Sequence, residues 1–88
     1  MKLIIAIIQE DDTAQVSEAL LEAGYRVTKI ASSGGFLRKG SATILIGVEE
    51  HQVEEALQLI RGHCAAPAEP AIKRGTVFVI PVERFEQL

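Results

Sequence analysis

Residues 3–24 read LIIAIIQEDDTAQVSEALLEAG, and the order of residue types in this stretch predicts a strand followed by a helix. The apolar run at residues 3–8 lacks strict alternation, which is typical of a strand with both faces covered. Asp11 or Asp12 is then expected to cap a helix, and Gly24 stands where a left-handed C-terminal cap belongs. The apolar positions of this helix are Val16, Ala19, Leu20 and Ala23.

The next segment completes a first β-α-β unit. Residues 25–30, YRVTKI, alternate polar and apolar side chains and predict a second strand. Residues 32–40, SSGGFLRKG, place Phe36 between glycines, which suit neither a helix nor a strand interior. We therefore expect a connection there, joining the first half of the chain to the second.

The second half repeats the same order of elements. Residues 42–48 predict a strand, and the acidic residues from Glu49 onward favour the positive end of a helix that Gly62 is expected to close. Residues 76–82 predict the last strand. Because Pro81 cannot donate a ladder hydrogen bond, this strand should lie at an edge of the sheet or end there. The apolar positions of the second helix are Val53, Ala56, Leu57 and Ile60.

The resulting order β-α-β-β-α-β is the ferredoxin-like arrangement, an α+β fold with an antiparallel four-stranded sheet and two helices on one face. QVSEALL at residues 15–21 and QVEEALQ at residues 52–58 agree with two similar halves, although two amphipathic helices could share this pattern by coincidence. The 88 residues are expected to form one domain, residues 1–88. Because both helices cover one face, the other face needs a cover, and a second copy of the chain would supply it.

The composition narrows the class of protein. A net charge of −3 argues against general nucleic-acid binding, which requires a basic surface. The single cysteine, Cys64, excludes an internal disulfide and fits a cytoplasmic protein. The apolar run at residues 3–8 is too short to span a bilayer, so we expect no membrane insertion.

The sequence shows no pattern typical of an enzyme. His51, His63 and Cys64 lack the spacing of a metal site, and no orienting acid would make Cys64 a nucleophile. We therefore expect no catalytic residue, no metal and no cofactor. The glycine-rich connection has two interpretations. Its backbone N–H groups, nearby cations and Phe36 could bind a nucleotide, or Phe36 and Leu37 could pack on a neighbouring subunit.

Three motifs together resemble a known family. They are RVTK at residues 26–29, SSGGFLRKG at residues 32–40 and TVFVIPV at residues 76–82. The sequence is similar to the PII-like cyclic-di-AMP receptor proteins, relatives of the PII nitrogen regulators, over nearly the whole chain. This resemblance implies a ferredoxin-like homotrimer without enzymatic activity. Cyclic-di-AMP would bind in clefts between subunits and alter contacts with a protein partner.

The resemblance also implies a set of ligand-binding residues. Arg26 and Thr28 would lie near the phosphates, and Gly47 would line the wall of the cleft. The remaining positions that it assigns to the ligand are Gly35, Phe36 and Leu37 around an adenine, with Phe78 and Gln87 approaching from another region.

Ser41 and the connection at residues 62–75 differ from the family pattern. The family commonly has an asparagine at the position of Ser41, and a hydroxyl cannot reproduce the paired donor and acceptor with which an amide recognises an adenine edge. The connection is also shorter than the loop of the family receptors. We therefore keep an alternative, a trimeric PII-like interaction module that has lost cyclic-di-AMP binding or that binds another adenine nucleotide.

Overall fold

A computed structural model describes residues 1–30, 41–64 and 75–88. Its four strands form one sheet in the order β2-β3-β1-β4, with every neighbouring pair antiparallel. This order confirms the predicted ferredoxin-like fold. The elements are β1 (Lys2–Gln9), α1 (Thr13–Glu22), β2 (Val27–Ile30), β3 (Ser41–Val48), α2 (Val53–His63) and β4 (Gly75–Pro81).

The turn that ends α1 was predicted correctly and sets the start of β2. Gly24 has a φ of 94°, in the left-handed region that favours glycine. Its N–H donates to the carbonyl of Leu21, and the Tyr25 N–H donates to the carbonyl of Leu20, both at 3.0 Å. These two bonds form a Schellman motif, in which an apolar residue after the glycine packs back on the helix. Tyr25 is buried accordingly, so β2 begins at Val27 rather than at residue 25.

Two predictions about the helix ends, a capping bond and a boundary, need correction. Asp12 directly precedes α1, but its side chain makes no capping hydrogen bond, because residues 10–12 form a short 3-10 turn. The Thr13 hydroxyl instead lies 3.5 Å from the carbonyl oxygen of Gln9 and donates to it. Gly62 does not end α2, which continues to His63. Gly24 is the only described glycine with a positive φ. Gly62 does not have one and keeps the helical conformation of α2.

The core lies between the two helices and one face of the sheet. Alternate residues of the central strands point into it, and the helices contribute Val16, Leu20, Ala56 and Ile60. The core is aliphatic except for the ring of Tyr25. The buried apolar strand residues are Ile4, Ala6 and Ile8 of β1 with Ala42, Ile44, Ile46 and Val48 of β3.

The last strand, β4, lies at an edge of the sheet and ends at Pro81, as predicted. Every residue of β4 is exposed, including Val77 and Val79 on the side of the helices. The antiparallel register pairs Ala6 with Val77 and Ile5 with Phe78, so apolar side chains leave β4 on both faces. Among the described strands, β1 is the one that pairs with β4.

The sheet face opposite the helices is called the open face here. It carries the odd-numbered residues of β1 and β3 and their cross-strand partners, since paired residues share a face. Leu3, Ile5 and Leu45 are half-buried on it, while Phe78 and Ile80 are 51% and 41% exposed. No helix of the described ranges covers this apolar surface.

Candidate functional site

A cavity of about 890 Å³ opens at one end of the open face. Its walls come from the turn after α1, from β2 and β3, and from the residues that follow β4. Pockets that bind small molecules have volumes of roughly 300–1,000 Å³. Four of the lining residues are ones that the family resemblance assigned to a ligand, namely Arg26, Thr28, Gly47 and Gln87.

Arg26 and Thr28 form one wall of the cavity. The Schellman turn buries Tyr25 and leaves the next residue, Arg26, exposed. Thr28 lies opposite Leu45 on the open face. Of the described residues that line the cavity, only Arg26 has a cationic side chain. The hydroxyl of Thr28 lies two residues further along the chain. A guanidinium and a hydroxyl are groups that bind phosphate oxygens.

Gly47 forms the floor of the cavity. It lies in β3 opposite Leu3, and continuing the pairing of Val27 with Ile46 by one residue places it beside Arg26. A Cβ built on Gly47 would meet no atom within 4 Å, and its φ is not positive. Glycine inside a strand is destabilising by roughly 0.5–1 kcal/mol relative to alanine. Because no described atom requires glycine here, the free space above Gly47 is available to an approaching molecule.

The C-terminal tail, residues 82–88, contributes Val82, Phe85 and Gln87 to the cavity wall. The Val82 N–H donates to the carbonyl of Met1 at 3.1 Å, which ties the start of the tail to the first strand. Arg84 and Glu86 form an exposed salt bridge with each other. The residues that alternate with this pair, Phe85 and Gln87, line the cavity. The tail therefore turns its ion pair outward and an aromatic ring and an amide toward the cavity.

Two further polar residues of the cavity wall, Gln52 and Tyr25, interact with neighbouring elements. The Gln52 side chain accepts a hydrogen bond from the Glu49 N–H at 2.9 Å, within a capping box that begins the second helical segment. Burial of Tyr25, together with the hydrogen bond from its hydroxyl to the Glu55 carboxylate, raises the pKa of the tyrosine. Tyr25, in the turn after α1, thus interacts with Glu55 of α2.

The structure separates other predicted site residues from the cavity. Thr28, Leu45, Ile5 and Phe78 form one row across the open face, so Phe78 lies three strands from Thr28. At about 4.8 Å per strand, this separation is about 14 Å. Ser41 begins β3 opposite Gln9, four residues from Leu45 and therefore about 13 Å away. Gly35, Phe36 and Leu37 lie outside the described residues.

Sequence reasoning did not single out Phe85 or Leu45. Leu45 would follow from pairing the second and third strands, since it lies opposite Thr28. Phe85 stands two residues before Gln87, and that spacing puts both side chains on one side of an extended segment. In residues 1–30, 41–64 and 75–88, no group of three acidic, histidine or cysteine side chains is arranged to hold a metal ion. No helix of these ranges is both long and apolar enough to cross a membrane.

The chain is similar to known proteins over nearly its whole length. The model of the cyclic-di-AMP receptor family matches residues 1–69. Among solved structures, a functionally unknown protein from Pediococcus pentosaceus ATCC 25745 superposes with a TM-score of 0.82 at 35% sequence identity. That match covers 99% of this chain and 96% of the other.

Proposed function

Because the chain belongs to the cyclic-di-AMP receptor family, we propose that it binds cyclic-di-AMP in the cavity on the open face and relays the signal to a protein partner. The role is that of a receptor, with residues 1–88 as one domain and no reaction catalysed. The observation that carries the proposal is Gly47, a strand glycine with free space above it in the same cavity as Arg26 and Thr28.

The phosphates of the ligand are assigned to Arg26 and Thr28. The chain carries a net charge of −3, so a local cation must offset the repulsion between the protein and an anionic ligand. Arg26 supplies that cation, and Thr28, on the open face, supplies a hydroxyl to the same cavity. Gly47, beside Arg26 on the neighbouring strand, allows the sugar-phosphate ring to approach the backbone of β3.

A second copy of the chain completes the site in this proposal. The open face exposes Phe78 and Ile80 and has no cover in the described chain, which favours self-association. The family resemblance implies a homotrimer, and each cleft then lies between two copies. Because Phe78 is about 14 Å from Thr28 within one chain, we assign it to the ligand bound mainly by a neighbouring copy.

One of the two bases is assigned to residues near the connection between the two halves. Phe36 offers a stacking surface with backbone from Gly35 and Leu37, as the family resemblance implies. Ser41, the first residue of β3, stands near one base in place of the amide that the family commonly has. A hydroxyl forms fewer directed hydrogen bonds than an amide, so base selectivity should be weaker than with asparagine at this position.

Titration calorimetry tests the proposal with cyclic-di-AMP, cyclic-di-GMP, ATP and ADP. We expect saturable heat with cyclic-di-AMP and a loss of affinity of at least about tenfold in Arg26→Gln, the cost of one charge-assisted hydrogen bond. Lys29→Gln is the matched control, because Lys29 is an exposed cation on the adjoining strand β2 but pairs with Ile44 on the helix side. Absence of heat with all four nucleotides would refute nucleotide binding and leave the interaction module.

A further inference from the structure

The C-terminal tail presents an aromatic ring to the cavity. Phe85 is 63% exposed, although it belongs to the cavity wall together with Gln87 and Arg26. A ring that served only the apolar core would be buried, as the ring of Tyr25 is. The face of Phe85 is therefore free for a planar group that enters the cavity.

Two contacts restrain the tail around the ring. The Val82 N–H bond to Met1 fixes the start of the tail, and the exposed pair between Arg84 and Glu86 joins side chains two residues apart. Phe85 and Gln87 alternate with this pair, and both line the cavity. The ring and the amide therefore present their contacts to one ligand group.

We propose that Phe85 is a nucleobase-binding residue, on which one base of the ligand stacks while the Gln87 amide bonds to the edge of that base. The inference rests on the proposed function and adds a residue to it. An aromatic face binds any base by stacking, whereas a glutamine amide matches the adjacent acceptor and donor of adenine N7 and N6. Phe85 thus supplies affinity, and Gln87 supplies selectivity for adenine.

The charges of the side chains that line the cavity agree with this placement. Phe85 and Gln87 line the same cavity as Arg26, Thr28 and Gly47. Cyclic-di-AMP carries its negative charges on the central sugar-phosphate ring and an uncharged adenine on either side of that ring. The cationic wall therefore suits the phosphate, and the aromatic wall suits the base.

Substitutions at Phe85 test the stacking role in the full-length chain. Phe85→Leu keeps the apolar volume and removes the ring, and we expect it to weaken cyclic-di-AMP binding by about 5- to 100-fold. Phe85→Tyr keeps the ring and should bind within about threefold of the original chain. Because Phe85 is exposed, thermal unfolding of both variants should match that of the original chain.

A fluorescent variant gives a direct readout. The chain contains no tryptophan, so Phe85→Trp introduces a single indole whose emission should be quenched as cyclic-di-AMP saturates the site. Leu88→Trp is the matched control, because Leu88 belongs to the same tail but does not line the cavity. Its emission should not change on saturation.

The outcomes separate this inference from the proposed function. If the original chain binds no cyclic-di-AMP, the proposed function fails and the role of Phe85 fails with it. If the original chain binds but Phe85→Leu binds equally well, the stacking role alone is refuted. Equal quenching in Phe85→Trp and Leu88→Trp would also refute it, because the signal would not come from the cavity.

Discussion

Replacing Gly47 with alanine should separate the stability of the fold from ligand binding. A methyl group at Gly47 would meet no atom within 4 Å, so it causes no clash in the free protein. Removing a glycine from a strand restricts the unfolded chain, which stabilises the fold by about 0.5–1 kcal/mol. For a domain of this size, that gain raises the melting temperature by about 2–8 °C.

Ligand binding should change in the opposite direction. The added methyl occupies the cavity floor between Arg26 and Leu3, where the backbone of β3 is open. Forcing a ligand over one extra methyl costs about 1–3 kcal/mol, as in an overpacked core, which weakens binding by about 5- to 150-fold. Titration calorimetry with cyclic-di-AMP measures the affinity, and thermal unfolding at fixed protein concentration measures the stability.

Gly62→Ala is the matched control for Gly47→Ala. Gly62 lies on the exposed side of α2, and a methyl there also meets no atom within 4 Å. It should stabilise the helix by about 1 kcal/mol and leave cyclic-di-AMP binding unchanged. Gly47→Ala with unchanged affinity would refute the role of Gly47 in the site. A loss of stability in the same variant would refute the inference that its surroundings are open.

Three further predictions concern the fold and its assembly. Gly24→Ala should lower the free energy of unfolding by about 1–2 kcal/mol, because its φ of 94° disfavours a side chain; denaturant unfolding that shows no loss would contradict this. Tyr25 is the only tyrosine, so phenolate absorbance reports its titration, and the midpoint should lie above 10.0 in the folded chain and shift down in denaturant. Because the pKa of Tyr25 is raised in the folded chain, its protonated hydroxyl contributes to the free energy of unfolding below pH 10.0. This contribution is lost as the pH rises through the pKa of Tyr25 in the folded chain, and Tyr25→Phe should remove that alkaline loss. Ile80→Lys places a charge on the open face and should reduce the mass measured by light scattering toward the 9.5 kDa of one chain, whereas an unchanged multiple would exclude this face from the interface.

The local signals in the sequence predicted the elements and their order. Gly24 and Pro81 marked a helix end and a strand end correctly, because each residue restricts the backbone by its own covalent structure. Asp12 marked the start of α1 correctly, but the capping bond expected from its side chain is absent, and Gly62 does not end α2. Asp12 and Gly62 tolerate several conformations, so neither residue type fixes the geometry of a helix end by itself.

The cavity depended on information that local patterns do not contain. Arg26, Gly47 and Gln87 are far apart in the chain, and the strand order β2-β3-β1-β4 brings their elements together. Resemblance to a family indicated these residues without giving their geometry. Phe85 escaped prediction because the path of the C-terminal tail depends on its bond to Met1, a contact between distant parts of the chain.

The exposure of β4 affects how single copies behave in a crowded solution. An edge strand with unpaired backbone groups and apolar side chains is a template for pairing with other chains, and residues 77–80 carry no charge that would oppose such pairing. A copy that has not yet assembled is therefore the species most prone to aggregate. In the proposed assembly, self-association protects the chain from aggregation in addition to completing the ligand site.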